Sequence, residues 1–243
     1  MSSSDHNCTD DEMERLRKTL NAEFEEFVSM AAHNLREPLR DVASFSELIA
    51  ETKGATLDSD ARAYLEHVRE GAARMQSVLA DVVDYWASGA GDPPLSPTDM
   101  DAVLRQALLL SEQQIAERSA IVTHDALPAA VVGDFEILTK VLHHLVRNAI
   151  EYCGTPTPLV HVSSKREDRE WVFSVRDNGP GIDPAFQDRI FGVFKRLHGN
   201  DHPGNGLGLA FCKKAIERHG GRMWMEPAPG AGSAFYFTLL PAD

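Results

Sequence analysis

The sequence predicts an α-helical hairpin followed by an α/β sandwich with one mixed sheet. Apolar residues recur at helical spacing through the first third, whereas helical and strand-like segments alternate through the rest. Between them lies a Gly/Pro-rich stretch at 88–94 that a helix would not cross. We therefore expect a disordered or linker N-terminus at 1–12, a helical hairpin domain at 13–88 and a second domain at 95–243.

The acidity of the chain excludes some classes of partner. The 243 residues carry a formal net charge of -13, of which -9 falls on residues 1–90 and -4 on residues 91–243. Nucleic acids and anionic membranes need dense Lys and Arg, so neither is expected as the main partner. No apolar run approaches the roughly 18 residues of a membrane span. Three widely spaced cysteines point to the reducing cytoplasm.

Two apolar stripes define the helical hairpin. The turn between its helices is predicted at Lys53-Gly54-Ala55-Thr56, with Asp58 or Ser59 as the cap of the second helix. Two helices cannot enclose such wide stripes alone, so we predict a homodimer in which two hairpins form a four-helix bundle. The stripes include Leu16, Leu20, Phe24, Phe27, Ala31, Leu35, Val42, Phe45, Leu48 and Ile49, then Tyr64, Leu65, Val68, Ala72, Met75, Leu79, Val82 and Trp86.

The second domain alternates between helical and extended segments. The patterns predict helices at 101–117, after an Asp134 cap, near 184–191 and at 207–219. Strands are predicted at 121–124, 159–164, 171–176, 222–226 and 234–240. Paired strands with intervening helices indicate helices stacked on a single face of the sheet.

Two glycine clusters and one histidine carry candidate chemistry. The first glycine cluster spans 177–182 directly after a strand, and the second glycine cluster spans 204–209 directly before a helix. A glycine-rich helix start suits phosphates, although an ordinary turn gives the same pattern. Neither a dinucleotide fingerprint nor a P-loop is present. His33 lies five residues before Pro38 in the first helix, either as a surface histidine near a kink or as a phosphate acceptor.

The ordered combination of these motifs is more specific than any one of them. Asn148 on an amphipathic helix, Asp177, Phe191, Phe194 and the second glycine cluster follow one another with a spacing that resembles the ATP-binding domain of sensor histidine kinases. Residues 32–40 then resemble the phosphoacceptor box of that family. The segments 37–40, 194–199 and 217–222 resemble the phytochrome-type subgroup.

The resemblance implies a role for each matched residue. His33 would be phosphorylated, with Asn34 and Glu37 in the same catalytic box, and the phosphoryl group would pass to an Asp of a response regulator receiver domain. ATP and Mg²⁺ are the implied cofactors, and Phe191 and Leu209 are assigned to the core. The implied nucleotide site consists of Asn148 (on Mg²⁺), Tyr152 (against adenine), Asp177 (on the adenine amine), Gly179 and Gly181 (the turn), Lys195 and Arg196 (phosphates), and Gly204, Gly206 and Gly208 (flanking the phosphates).

Four departures from the family pattern stand out. Asn34 occupies a position that is usually Asp or Glu, and an amide cannot take a proton, so slow or absent autophosphorylation is predicted. Glu151 stands where Lys or Arg is common, and His144 replaces the first Asn of its box. The segment 201–203 is a short lid.

Three functional interpretations follow. The first is a histidine kinase, and the second is a pseudokinase or scaffold that binds a response regulator, as Asn34 suggests. The third is an ATPase of the same superfamily, disfavoured because its water-activating Glu would be His144 here. No sensor domain precedes residue 13, so we expect either a free-standing kinase driven by partner proteins or a fragment of a longer receptor with an upstream sensor domain.

Overall fold

The computed structural model describes residues 4–88, 95–154, 157–196, 204–227 and 232–242. In its first helix the side chains are described at 19, 23, 24 and from 26 onwards. The chain divides into two compact units, residues 1–90 and 91–243. The predicted boundary at 88–94 and the predicted lid at 201–203 lie outside the described residues, apart from Ser88.

The first unit is the predicted helical hairpin. Helix α1 spans Ser4–Lys53, a 3₁₀ turn spans Gly54–Thr56, and α2 spans Ser59–Ala87. Asp58 caps α2, because its Oδ1 accepts a hydrogen bond from the Ala61 N–H at 2.8 Å. Helix α1 includes residues 4–12, for which the sequence led us to expect a disordered or linker segment. This run is polar and acidic without Gly or Pro, and acidic side chains stabilise the first turns of a helix.

Helix α1 continues through Pro38 without a break. Proline has no N–H, so the carbonyl of Asn34, four residues earlier, lacks its helical donor. That carbonyl belongs to the residue next to His33.

The hairpin leaves much of its apolar surface uncovered. Ala32 and Ala72 are buried between the helices, and the ring of Phe24 lies edge-on to Trp86 at a centroid distance of 4.5 Å. The exposed large apolar side chains of this unit are Phe24, Phe27, Met30, Leu35, Val42, Phe45, Leu48, Ile49, Tyr64, Val68 and Met75.

The second unit is an α/β sandwich with one five-stranded mixed sheet and a separate two-stranded sheet. Its elements are β1 (Ser96–Thr98), α3 (Met100–Leu110), α4 (Glu112–Glu117), β2 (Ile121–His124), β3 (Val131–Gly133), α5 (Phe135–Glu151), β4 (Leu159–Glu167), β5 (Glu170–Asp177), 3₁₀ turns at Pro184–Phe186 and Arg189–Phe191, α6 (Gly208–Arg218), β6 (Met223–Pro227) and β7 (Ser233–Leu239).

The main sheet has the strand order β2-β4-β5-β7-β6. Strands β2 and β4 are parallel, and the other neighbouring strands are antiparallel. Helix α5 packs on β4 and β5, whereas α6 packs on β6 and β7. The core between these layers includes Phe173 and Phe237, whose rings stack at 4.9 Å, with Val175, Leu142 and Ile216 around them.

Three sequence predictions for this unit need correction. The helix predicted at 101–117 is divided at Ser111, whose Oγ donates to the Ala107 carbonyl at 3.0 Å and lies 2.9 Å from His143 Nδ1. A serine hydroxyl bonded to the carbonyl four residues earlier often bends a helix. The helix predicted near 184–191 consists of two 3₁₀ turns. Strands β1 and β3, which pair antiparallel, were not predicted.

None of the helices in the described part of the chain has the length and hydropathy that crossing a membrane requires.

Candidate functional site

A pocket in the second unit brings most of the predicted nucleotide residues together. Nine of the ten line it, and Gly179 does not. Sequence reasoning missed several other lining residues, and Leu209, which it assigned to the core, is one of them. The lining consists of Arg147, Asn148, Tyr152, Asp177, Pro180, Gly181, Ile182, Ile190, Lys195, Arg196, Gly204, Asn205, Gly206, Gly208, Leu209, Ser233 and Phe235.

Asp177, the last residue of β5, lies at one end of this pocket. Its Oδ1 accepts hydrogen bonds from the backbone N–H groups of Gly179 at 2.8 Å and Ser233 at 3.0 Å. Burial raises the pKa of Asp177, and these two donors partly offset the rise. Because Oδ1 holds both N–H groups, Oδ2 is the oxygen that a donor on a bound molecule can use. Gly179 thus orients the Asp177 side chain through its backbone N–H, although Gly179 itself does not line the pocket.

A glycine at the start of β7 makes this arrangement possible. Gly232 has φ +92°, and a Cβ placed there would overlap the carbonyl oxygen of Asp177 at 1.8 Å. Only glycine allows so close an approach of the two backbones. Ser233 then donates its backbone N–H to Asp177. Because the donor belongs to the backbone, the residue type at 233 gives no sign of this contact.

Asn178 fixes the backbone next to Asp177. Its Oδ1 accepts from the Leu159 N–H at 2.8 Å and from the Cys153 thiol at 3.0 Å, and its Nδ2 donates to the Thr157 carbonyl at 3.0 Å. The first glycine cluster is thus held to the segment between α5 and β4, which lets the cluster present Asp177 in one orientation.

Tyr152 lies between the two glycine clusters. Its carbonyl oxygen is 3.2 Å from the point that a Cβ on Gly179 would occupy, and its hydroxyl is 3.3 Å from the corresponding point on Gly204. Burial raises the pKa of Tyr152 and Glu151 adds to the rise, whereas Arg196 and Arg147 lower it. The phenol therefore stays protonated and able to donate at neutral pH.

Glu151 turns towards the second glycine cluster. Its Oε1 lies 3.9 Å from the point that a Cβ on Gly204 would occupy, and the residue is half-buried. The structure thus places this carboxylate near the rim of the pocket, where the sequence left its direction open.

The segment at 194–196 packs directly on Gly206. A Cβ at Gly206, which has φ +68°, would lie 2.8 Å from the Lys195 carbonyl oxygen and 2.9 Å from the Phe194 carbonyl carbon. Phe194 itself has φ +57°, which is uncommon for a residue with a side chain. This contact holds Lys195 and Arg196 beside the second glycine cluster. Phe191, assigned to the core, is half-buried with its ring 6.5 Å from that of Phe235.

His144 lies behind the second glycine cluster. The residue is 4 % exposed, and its Nδ1 has no hydrogen-bond partner among the described residues. Its ring contacts Phe211 at 5.2 Å and comes within 3.1 Å of the Cβ position of Gly208. Burial, together with the positive charges of Arg147 and Lys140, lowers the pKa of His144 to about 3. It is a neutral packing residue at physiological pH.

The remaining predicted site residues lie in the first unit. His33, Asn34 and Glu37 are all exposed on one turn of α1. The spacing of four between His33 and Glu37 places both on one side of the helix. The structure therefore describes two sets of predicted residues, one in each unit.

Two family models match the chain. Residues 25–89 match the His Kinase A (phospho-acceptor) domain. Residues 133–243 match the histidine kinase-, DNA gyrase B-, and HSP90-like ATPase family. Together they cover both sets of predicted residues.

Several curated proteins are similar over nearly the whole chain. Cyanobacterial phytochrome A of Nostoc sp. (strain PCC 7120) is 40% identical over 233 residues, which are 94% of this chain and 30% of that protein. The phytochrome-like protein Cph1 of Synechocystis sp. (strain PCC 6803) is 36% identical, over 94% of this chain and 31% of that protein. The chain thus spans about a third of the length of these relatives.

Solved structures show the same architecture. Full-length ShkA in complex with AMPPNP matches with a TM-score of 0.70 and 27% identity, over 89% of this chain and 46% of that one. The mycobacterial sensor histidine kinase MprB matches with a TM-score of 0.54 and 29% identity, over 60% of this chain and 97% of that one.

Proposed function

This chain belongs to the sensor histidine kinases, of which it comprises the catalytic core, and we propose that it transfers the γ-phosphoryl group of Mg-ATP to His33. The observation that carries the proposal is the pocket in which Asp177, held by two backbone N–H groups, shares a lining with the second glycine cluster. The phosphoryl group would then pass to an Asp of a response regulator receiver domain.

Asp177 would select adenine. Its Oδ2 accepts a hydrogen bond from the exocyclic amine of the base, a donor that guanine lacks at that position. Ile182, Ile190 and Phe235 supply apolar surface along the same pocket. A buried acceptor rejects a base that leaves it unpaired, because an unsatisfied carboxylate loses its hydration without compensation.

The phosphates would lie at the second glycine cluster. Helix α6 begins there at Gly208, so its free N–H groups and positive dipole end favour an anion. Lys195 and Arg196 line the same pocket and add positive charge. The phosphates are thereby held by local groups although the chain as a whole is acidic.

Asn148 would hold Mg²⁺. The site fits this ion through the chemistry of its donors, since Asn148 offers an amide oxygen inside the pocket and a hard cation prefers oxygen. Mg²⁺ usually keeps several waters and phosphate oxygens, so one or two protein ligands suffice. Bound there, the ion would neutralise charge on the phosphate chain.

The transfer itself needs a proton acceptor. One nitrogen of the His33 ring attacks the γ-phosphorus, the bond to the β–γ bridging oxygen breaks, and ADP leaves with that electron pair. The other ring nitrogen loses its proton, which the neutral amide of Asn34 cannot accept. Glu37, one helical turn away, is the carboxylate of the box that could receive it.

The exposed apolar side chains of the hairpin support a homodimer. Among the side chains of the first unit that the structure describes, eleven large apolar ones are exposed, and such an extent of exposed apolar surface marks an interaction site. Pairing two hairpins would bury them in a four-helix bundle. Cys153 and Cys212 are both buried thiols, in keeping with a cytoplasmic location. A further domain or partner protein would supply the signal.

One experiment tests the assignment. The chain is incubated with γ-labelled Mg-ATP, and the label is then examined for stability in acid and base, with His33→Ala as the control. A phosphohistidine is lost in acid and kept in base. A label that resists acid, or that His33→Ala retains, would refute the proposal. A chain that binds ATP tightly but never carries label would instead support the scaffold interpretation that Asn34 motivates.

A further inference from the structure

Arg147 lines the pocket, although no sequence motif identified it as a candidate. It directly precedes Asn148 on α5 and is half-buried. Its Nε is buried and has no hydrogen-bond partner among the described residues. A buried guanidinium nitrogen without an acceptor is unfavourable, so this N–H is available to an acceptor on a bound molecule.

Arg147 shares the pocket lining with the second glycine cluster and lies one helical turn from His144 on α5. The His144 ring lies beside Gly208, where α6 begins, and the positive charge of Arg147 contributes to the lowered pKa of His144. At Tyr152, whose hydroxyl lies beside Gly204, the same charge opposes the rise in pKa that burial causes.

The charges of the lining point the same way. Three cationic side chains line the pocket, namely Arg147, Lys195 and Arg196, and Asp177 is the only acidic residue among the described lining residues. Asp177 already accepts two backbone hydrogen bonds. Three cationic side chains beside a helix N-terminus favour an anion of high charge in the pocket.

We propose that Arg147 is a phosphate-binding residue, whose Nε and terminal N–H groups donate to the phosphate chain of the bound nucleotide. The proposal rests on the nucleotide function argued above and adds a residue to it. A guanidinium suits this role because its planar N–H groups can donate to two phosphate oxygens at once.

The test compares nucleotides that share adenosine but differ in phosphate content. Dissociation constants for ATP and adenosine are measured by isothermal titration calorimetry on the full chain, for wild type, Arg147→Gln, Arg147→Lys and the control Arg169→Gln. Arg169 lies exposed in the turn between β4 and β5. We expect Arg147→Gln to weaken ATP binding by about tenfold or more, as for a lost charged hydrogen bond, and adenosine binding by less than about twofold.

The variants separate binding from structure. Arg147→Lys keeps the charge but loses the planar guanidinium group. We therefore expect its affinity for ATP to lie between those of wild type and Arg147→Gln, with its affinity for adenosine unchanged. Equal losses for ATP and adenosine, or ATP binding unchanged in Arg147→Gln, would overturn the inference. If wild type binds adenosine and ATP with equal affinity, the proposed phosphate site fails as well. If wild type and Arg147→Gln both bind ATP tightly and with the same dissociation constant, only the role of Arg147 is refuted, and the proposed nucleotide function stands.

Discussion

The carboxylate of Asp177 is hydrogen-bonded to the backbone of Ser233: Oδ1 accepts from the N–H at 3.0 Å. This bond ties the end of β5 to the beginning of β7, two strands that neighbour each other in the sheet. The acid that would read the base is therefore oriented by the sheet and not by a loop alone.

Replacing Asp177 tests the recognition of adenine. Asp177→Asn can keep an oxygen towards Gly179 and Ser233 but then presents an NH₂ group to the base. We expect ATP affinity to fall by about tenfold or more, because two donors would face each other. Calorimetry measures the loss. Asp168→Asn is the control, since Asp168 is exposed, has φ +46° and lies in the β4–β5 turn. An unaltered dissociation constant for Asp177→Asn would contradict this role.

A methyl group at Gly206 tests the contact with the 194–196 segment. Gly206→Ala would place a Cβ 2.8 Å from the Lys195 carbonyl at a φ of +68°. The free energy of unfolding should fall by about 1–3 kcal/mol, and ATP binding should weaken as Lys195 and Arg196 move. Urea denaturation and calorimetry measure the two effects.

Gly71→Ala in α2 is the matched control. No atom lies within 4 Å of its Cβ position, so the same change should stabilise the helix by about 1 kcal/mol. An unfolding transition of the 91–243 unit that is the same in wild type and Gly206→Ala would show that the Gly206 contact is not needed.

His144 predicts an acid sensitivity of the fold. Its pKa is about 3 in the folded chain and near 6.5 when unfolded, so the unfolded state binds the extra proton between these values. The contribution of His144 to the free energy of unfolding is complete above pH 6.5. It decreases as the pH falls below this value, by up to about 1.4 kcal/mol per pH unit.

His144→Asn removes this titration. Its free energy of unfolding, from urea melts between pH 7 and pH 4.5, should decline less steeply than that of wild type. The exposed His124 of the same unit provides the comparison variant, His124→Asn, which is measured over the same pH range. Parallel curves for wild type and His144→Asn would argue against a buried neutral imidazole.

Asn34 predicts slow loading of His33. Asn34→Asp supplies a carboxylate that can draw the proton from the ring, and general base catalysis typically contributes about 10²–10⁴-fold. We expect the initial rate of phosphohistidine formation to rise by at least about tenfold, with Asn34→Ala near the wild-type rate. Rapid loading of wild type, with no gain in Asn34→Asp, would show that Glu37 or water suffices.

The exposed apolar stripe predicts the oligomeric state. The double variant Phe27→Asp/Phe45→Asp places charges on side chains that are 62% and 65% exposed in one hairpin. A buried unpaired charge is costly, so the dimer should dissociate at concentrations where wild type stays paired. Light scattering after size-exclusion chromatography gives the mass. The control variant Glu51→Gln, which changes an exposed polar residue, should have the same molecular mass in solution as wild type. A dimeric double variant would place the interface elsewhere.

Long periodic elements were predictable from the sequence, and so was the clustering of glycines with Asp177. The apolar period of α5 and the extended, β-branched and aromatic segments of β4 and β5 are local signals that tertiary packing reinforces. The division of the helix at Ser111 was not predictable, because it depends on a hydroxyl that also reaches His143, 32 residues later. Strands of three residues, such as β1 and β3, carry too few positions for a period to appear.

The missed site residues have physical reasons of their own. Ser233 contributes a backbone N–H, which any residue except proline could supply. Arg147 lies at the boundary between the apolar and polar faces of an amphipathic helix, where an arginine is ordinarily a solvated surface residue. Leu209 was assigned to the core because it is apolar, and its place in the lining depends on where α6 begins.

The division of the chain between Ala90 and Gly91 has a consequence for heat denaturation. Each unit has its own packed interior, so the chain should melt in two steps, and a single melting temperature would describe neither. Nucleotide would raise the melting temperature of the 91–243 unit by mass action, whereas the proposed dimerisation of the hairpin would make its melting temperature rise with protein concentration. Calorimetric scans could thus follow ligand binding and self-association separately in one sample.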